Sequence, residues 1–362
     1  MFELLKESVD FQTLNRPANI EYHRVFDTVK ETNAHHFLHG VAVEQWQNRL
    51  AVCFAYNAFA ENSATEELLI RWSNDDGKTW TQTEHIVPPA DCAHSHSVFL
   101  PQSGSLWCLG PRFHGLGEKP VSKKGYPLIH FVGLQMEAWK LVEDMWKPMG
   151  IVADDFWPLG APTKMDNGNW LISGCDEHWY AAIAISHGND LTRWDVVKPD
   201  TDGEVFTEAG AWVNGNKVCM VMRNQSLLID GKYPAAVAFS DDDGRTFGEC
   251  MPTDLPIATT KPFCGRLSDG RIYLVFNESI PGKPNARDRM LIGIGDGKDF
   301  KLDHFYVVDE GYATPTRRLS LSYPYAKEIE GRLYITYSYE STPGTGSNHN
   351  DAMLAIIRLE DL

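Results

Sequence analysis

Ser73-Asn74-Asp75-Asp76-Gly77-Lys78-Thr79-Trp80 returns far downstream as Ser240-Asp241-Asp242-Asp243-Gly244-Arg245-Thr246-Phe247. Looser copies are Ser186-His187-Gly188-Asn189-Asp190-Leu191-Thr192-Arg193-Trp194 and Gly295-Asp296-Gly297-Lys298-Asp299-Phe300. Each reads as a tight hairpin. The Asp side chain caps its own turn, glycine accepts the awkward dihedral, and the aromatic residue plugs between strands. Two close copies at one phase mark a repeat, which a single copy would not.

A second signal keeps the same beat. Asn167-Gly168-Asn169, Asn214-Gly215-Asn216, Asp269-Gly270-Arg271 and Glu330-Gly331-Arg332 each precede an apolar run, and Gln47-Asn48-Arg49 and Ser103-Gly104-Ser105 sit in matching places. X-Gly turns between strands are the primed hairpin signal. They recur at roughly 47 to 64 residues, which makes six repeats of about 55. The runs between them are short and rich in Val, Ile, Tyr, Phe and Trp, so the chain reads as nearly all strand. A helix-free unit of several strands cannot bury both sheet faces alone. Stacking such units radially does, which predicts an all-β, six-bladed β-propeller. No linker interrupts the pattern, so residues 1–362 are expected to form one domain. Residues 1–30, through a strand near 20–29, are expected to close the last blade.

Composition narrows the function classes. The net charge is −16, from 33 Lys+Arg against 49 Asp+Glu, with no basic cluster, which disfavours a duplex nucleic-acid partner. No apolar stretch is long enough to span a bilayer as a helix, so no membrane partner is expected. The seven cysteines are scattered without a C-x-x-C pair, and residues 1–7 build no signal-peptide core. A cytoplasmic location is the expectation.

The Ser-x-Asp-x-Gly-x-Thr-Trp/Phe boxes resemble the aspartate boxes, or BNR repeats, of the sialidase (neuraminidase) superfamily, over about residues 33–360. That resemblance implies a propeller of the sialidase type. The superfamily hosts sialidases, other exo-glycosidases, polysaccharide lyases and non-enzymatic binders. Glu208-Ala209-Gly210-Ala211-Trp212-Val213-Asn214-Gly215 with Val221-Met222-Arg223 resembles the segment that supplies a buried glutamate and a carboxylate-binding arginine. Ser322-Tyr323-Pro324-Tyr325 resembles the segment of the nucleophilic tyrosine. By this match Glu208 polarises Tyr323 or Tyr325, and Arg223 holds a substrate carboxylate. The Arg-Ile-Pro signature of the family's first blade is missing. The strand there reads Asn33-Ala34-His35-His36-Phe37-Leu38-His39-Gly40.

Equivalent positions of a propeller converge on one axis, so the repeat serves as a ruler. About eight residues past each turn lie Asn57, Arg112, Asp176, Arg223, Glu278 and Tyr339. Six to ten residues before the turns lie His39, His94, His96, Glu208, Tyr323 and Tyr325. Arg112 and Arg223 offer the planar fork that matches a carboxylate, and Arg318 is a third cation for the same role. His114, two residues beyond Arg112, shares its strand face. Trp157, Trp179 and Tyr180 could stack on a sugar. No motif fixes the acid that protonates a leaving group: Asp91, Asp154 and Asp155 are loop aspartates in plausible blades, and a histidine is the alternative. The histidines and cysteines show no metal-ligand spacing, so neither a metal nor a cofactor is expected.

These residues fit an exo-acting hydrolase of an acidic sugar. Glu208 would draw the proton from the tyrosine, the phenolate would attack the anomeric carbon, and arginines would hold the carboxylate. They also fit a uronate lyase in which His96 or a tyrosine removes the proton beside a neutralised carboxylate. A carbohydrate-binding propeller without catalysis is the third reading. An acidic oligosaccharide is the expected partner in each case.

Overall fold

Short runs of β-branched and aromatic residues, cut by turns too closely spaced for helices, leave the backbone only the sheet as a way to pair its polar groups. The computed structural model describes residues 1–362 except 33–35, 59, 227–234, 281, 284, 312–319 and 341–349. It holds six antiparallel sheets, each in contact with the sheets on either side of it around a central axis. The molecule is a six-bladed β-propeller, as the repeat predicts.

Blade 1 runs outward through Phe37–Trp46, Arg49–Asn57, Glu67–Ser73 and Glu84–His85. In blade 2 the inner strand is broken into Ala93–His94 and Val98–Gln102, followed by Ser105–Phe113, Gln135–Val142 and Met145–Asp154. Blade 3 likewise starts with two fragments, Trp157–Pro158 and Thr163–Lys164, then Trp170–Cys175, Ala181–His187 and Asp190–Val197. Blade 4 is Phe206–Asn214, Lys217–Asn224, Ala235–Ser240 and Met251–Pro252. Blade 5 is Phe263–Arg266, Ile272–Asn277, Arg289–Gly295 and His304–Glu310. Blade 6 is Ser320–Ile329, Arg332–Glu340 and Asp351–Arg358. Its fourth strand, Glu21–Phe26, comes from the other end of the chain and pairs with Asp351–Arg358. The residues before it run elsewhere. Phe2 N donates to Pro252 O at 2.7 Å and Lys6 N to Leu302 O at 3.0 Å, and Leu4 is fully buried. The first residues therefore strap the outer edges of blades 4 and 5.

Each X-Gly signal joins the inner strand of a blade to its second strand. Ser103-Gly104 and Glu330-Gly331 are two-residue hairpins with positive φ at both positions, the primed geometry. The turns at Gly168 and Gly270 are longer loops. All seven cysteines are unpaired. Among the described residues no helix is long and apolar enough to cross a membrane.

The two good boxes are the same object built twice. Ser73 Oγ accepts Gly77 N at 2.9 Å, while the Asp75 carboxylate accepts Thr79 N at 2.8 Å and Thr79 Oγ1 at 2.7 Å. Ser240 Oγ accepts Gly244 N at 2.9 Å, and the Asp242 carboxylate takes the same two donors of Thr246 at 2.8 and 2.7 Å. Each turn then lies flat on the preceding blade. A Cβ on Gly77 would stand 2.6 Å from Leu354 of blade 6, and one on Gly244 would stand 2.7 Å from Ile183 of blade 3. Both glycines also have positive φ. The boxes thus seal the gaps between blades, and their glycines are required twice over, by dihedral and by space.

Gly77→Ala and Gly244→Ala should each lower stability by about 1–3 kcal/mol, read as a shift of the denaturant midpoint with the slope unchanged. An alanine that left the midpoint in place would show that the box does not press on the neighbouring blade. The Asp75 and Asp242 carboxyls are pulled down to about 2, first by the Thr79 and Thr246 hydroxyl bonds. A carboxyl depressed in this way stabilises fully above its unfolded value of about 3.9, and that contribution is lost as pH falls toward the folded value. Carbon-13 NMR of the two carboxyls should show titration near 2, below the ordinary aspartate value of about 3.9.

Candidate active site

Three inner strands carry a bulge at the same height. The register slips between His39 and Ala42 in blade 1, between Thr207 and Gly210 in blade 4, and between Ser322 and Tyr325 in blade 6. The first extra residue is Gly40, Glu208 or Tyr323, with φ of 59°, 43° and 53°. Such a bulge turns a side chain out of the sheet faces and toward the axis. Glycine takes that conformation freely, but for Glu and Tyr it costs about 1–3 kcal/mol each. At Gly40 no side chain fits, because a Cβ would meet His96 Cγ at 2.0 Å. His96 reaches that space from the gap in the broken inner strand of blade 2.

Glu208 and Tyr323 meet at a cavity of about 190 Å³ at one end of the axis. The Tyr323 hydroxyl donates to Glu208 Oε1. Trp179 Nε1 donates to the same oxygen at 3.2 Å, and Arg223 Nη1 donates to Oε2 at 2.6 Å. Arg223 also lies over the Trp179 ring, 4.7 Å from its centroid, and donates to Gln225 Oε1 at 2.9 Å. A second guanidinium, Arg287, lines the cavity and donates to Ser322 Oγ at 2.7 Å. It forms no ion pair with a carboxylate among the described residues. His39 stacks edge-on against Tyr323 at 3.9 Å between centroids, and His96 at 5.6 Å. Beneath the tyrosine, buried Lys261 donates to Pro324 O at 2.8 Å.

The electrostatics follow from burial and pairing. Burial alone would raise the Glu208 carboxyl, but the Arg223 charge and three donated hydrogen bonds outweigh it and hold it below the ordinary range. Burial, with the Glu208 charge second, pushes the Tyr323 phenol well up. At rest the proton belongs to the tyrosine, and an ionised acceptor waits beside it. Burial pulls His39 far below the imidazole range, with Arg287 adding to it, and brings His96 to about 3. Both rings are therefore neutral near pH 7. Burial also brings Lys261 down to about 7.

This geometry can be set beside known proteins. The model of the BNR repeat-like domain matches residues 157–335. A protein of unknown function from Dyadobacter fermentans superposes with a TM-score of 0.66 at 18% identity, over 95% of this chain and 99% of that one. Trypanosoma rangeli sialidase in complex with the inhibitor DANA gives 0.69 at 12% identity, over 94% of this chain and 60% of that one. The Hadza microbial sialidase Hz136 gives 0.66 at 16% identity, over 94% and 69%. The chain has the propeller fold of the sialidases, and its residues 157–335 match the BNR repeat-like domain. It spans about 60% of the length of the trypanosomal sialidase. No curated protein matches it. At these identities the likeness speaks of the fold.

Of the residues singled out from the sequence, Tyr323, Glu208, Arg223, His39 and His96 line the cavity, as do Trp157 and Trp179. Tyr325 does not. It is buried in the core against Phe263, because the bulge at Tyr323 throws the two tyrosines to different surroundings. The other positions counted past the turns lie on second strands or one residue beyond their ends, one strand spacing farther from the axis. Their shorter side chains end in local bonds. Asn57 Nδ2 donates to Thr65, Asp176 accepts Lys198 at 2.8 Å and two backbone amides, and Glu278 pairs with Arg289 at 2.6 Å. Arg112 is long enough but donates to Cys92 Sγ, and His94 pairs with Glu137 at 3.0 Å. His114 and Asp91 are exposed and do not line the cavity. Arg318 lies outside the described residues.

Sequence reasoning passed over Arg287, Glu61 and Lys261. Glu61 lines the cavity from the loop between the second and third strands of blade 1, and Arg287 from the same loop of blade 5. Both loops lie beyond the reach of a ruler anchored on the first turn of each blade. Lys261 was within reach, because it stands nine residues before Gly270.

Lys261 supplies a test of this electrostatic reading. Its folded value lies below the unfolded value of about 10.4, so the unfolded chain binds more protons between them and stability rises with pH there. Relative to Lys261→Met, the wild type should gain up to about 1.4 kcal/mol per pH unit from about 7 to 10 and nothing below 7. Denaturant unfolding of both proteins across that range measures it. A constant difference would mean that the amine keeps its charge in the fold.

Proposed function

We propose that the protein is an exo-acting, retaining glycoside hydrolase of acidic sugars with Tyr323 as the nucleophile. The observation that carries this reading is the Tyr323 hydroxyl bonded to an ionised Glu208, which Arg223 pins at 2.6 Å, at the wall of the axial cavity. As Tyr323 Oη bonds to the anomeric carbon, its proton passes to Glu208. The bond from that carbon to the glycosidic oxygen breaks, and its electron pair leaves with the oxygen. Glu61 is the acid that protonates this oxygen. The residue is exposed overall, but its carboxyl reaches the cavity, and desolvation there pushes it up, as a proton donor requires. Water deprotonated by Glu61 then attacks the same carbon, and the phenol departs with its proton restored by Glu208. Arg223 and Arg287 receive the carboxylate. A neutral phenol avoids the repulsion that a carboxylate nucleophile would meet from an anionic sugar.

His39 and His96 favour a second reading. Both line the cavity as neutral rings, and His39 Nδ1 and His96 Nε2 have no hydrogen-bond partner among the described residues. A neutral imidazole could take the proton of a uronate in a lyase reaction.

Aryl and oligosaccharide glycosides of ulosonic and uronic acids separate the two. The hydrolase reading expects a released reducing sugar of retained configuration and no new double-bond absorbance. Tyr323→Phe and Glu208→Gln should each lower kcat by roughly 10²-fold or more, and Arg287→Ala should mainly raise KM. New absorbance that survives Tyr323→Phe would move the assignment to the histidines. Binding without turnover on every substrate would leave a carbohydrate-binding propeller.

A further inference from the structure

Outside the Tyr323 cavity one more set of donors converges. His130 lies in the excursion between the second and third strands of blade 2, and Glu177 and His178 lie in the corresponding hairpin of blade 3. One imidazole nitrogen from each histidine and one Glu177 carboxylate oxygen all lie within 4.8 Å of one another. The two rings stack at 5.1 Å and 25°, and His178 Nδ1 is 3.7 Å from Glu177 Oε1. The geometry points to a site for a divalent transition-metal cation of the zinc class, with His130, Glu177 and His178 as its protein ligands.

The backbone that carries these donors is already fixed. Phe131 N donates to Glu177 O at 2.8 Å and Gly117 N to His130 O at 2.9 Å, while Glu177 N donates to Asp155 Oδ1 at 2.7 Å. His178 N and Tyr180 N both donate to Asp176 Oδ1, at 2.9 and 2.8 Å. Only side-chain torsions must adjust. Ligands at the usual zinc distances stand about 3.3–3.5 Å apart in a tetrahedron, so a spread of up to 4.8 Å closes by small rotations of half-buried side chains. Two imidazoles and one carboxylate select zinc, cobalt or nickel over calcium and magnesium, which prefer all-oxygen shells. Three protein ligands leave a coordination position open.

The position gives such an ion a role at the cavity. His130 is flanked by Ile129 and Phe131, and His178 precedes Trp179, and all three neighbours line the cavity. An ion here staples the blade 2 excursion to the blade 3 hairpin whose Trp179 donates to Glu208. With neutral histidines, the ion and one carboxylate also leave a local charge of +1 on the cavity wall of a chain whose net charge is −16. None of this depends on the hydrolase reading.

The test is calorimetric titration of Zn²⁺ into chelator-stripped protein, with Ca²⁺ as the control. One equivalent should bind with a micromolar or tighter Kd, Ca²⁺ should give no comparable heat, and His130→Ala and Glu177→Gln should each weaken Zn²⁺ binding about tenfold or more. No stoichiometric binding, or binding unchanged in both variants, overturns the site. The exposed pairs His85–Glu67 and His187–Asp195 would then account for bound ion. Should a variant misfold, the Co²⁺ spectrum of the wild-type protein decides. An intense visible band of low coordination number supports the site, and the weak spectrum of the hydrated ion overturns it.

Discussion

Each blade has two apolar faces and nothing to bury them against except the blades on either side. Among the described residues no second layer and no long helix covers the sheets, so every sheet depends on a ring that closes. The hydrophobic clusters accordingly run across blade boundaries. One joins Leu4, Trp212 and Val221 to Leu274, Phe276 and Phe305, which binds blade 4, blade 5 and the N-terminal strap into a single unit. The Asp boxes follow from the same demand. A turn that must lie flat on a neighbouring sheet can carry no side chain at its point of contact, and Gly77 and Gly244 stand at that point. Closure pairs Glu21–Phe26 with Asp351–Arg358 in one sheet, so loss of either strand would open the ring.

Closure also makes the axis a place where inner strands from all six blades crowd together. A regular strand directs its side chains at the neighbouring blades and not at the axis. The bulges in blades 1, 4 and 6 break that rule at one height, and the residue they expose is Gly40, Glu208 or Tyr323. Positive φ at Glu208 and Tyr323 is strain held at the centre of a rigid ring. It persists because Glu208 accepts from Tyr323, Arg223 and Trp179, three groups from three different blades. The blade 1 bulge is the same device left empty, and His96 occupies the room.

What could be read in the sequence divides along a physical line. Turn chemistry is local, so the boxes and X-Gly pairs disclosed the repeat, the blade count and the hairpins. Glu208, His39 and His96 were legible because inner-strand phase is a property of the repeat, and Arg223 because it stands at the matching place on a second strand. The choice between Tyr323 and Tyr325 was not. Residues two apart share a face in a regular strand, and only the bulge separates them. The second-strand positions misled for a geometric reason: one strand spacing from the axis, an Asn or Asp side chain is too short and Arg223 is long enough. Arg287 and Glu61 lie on loops whose lengths differ from blade to blade, and such loops carry no phase. The His130–Glu177–His178 cluster spans two blades, and nothing in one sequence couples its halves.

The two buried cations at the cavity show why one is arginine and the other lysine. Lys261 and Arg287 both lie under the same desolvation, and burial is the leading cause that lowers each. A lysine starts near 10.4 and arrives at about 7, so its charge is conditional at the pH where the protein folds. Its secure service is the hydrogen bond to Pro324 O, which holds the strained turn after Tyr323 whether or not the amine is charged. A guanidinium starts above 12 and keeps its charge through a comparable loss. Arg223 spends its charge on Glu208. Arg287 donates to the neutral Ser322 hydroxyl and forms no ion pair among the described residues, so under the proposed function it is a positive charge available to an anion. With His39 and His96 both neutral, the proposed hold on a carboxylate rests on Arg287 together with Arg223.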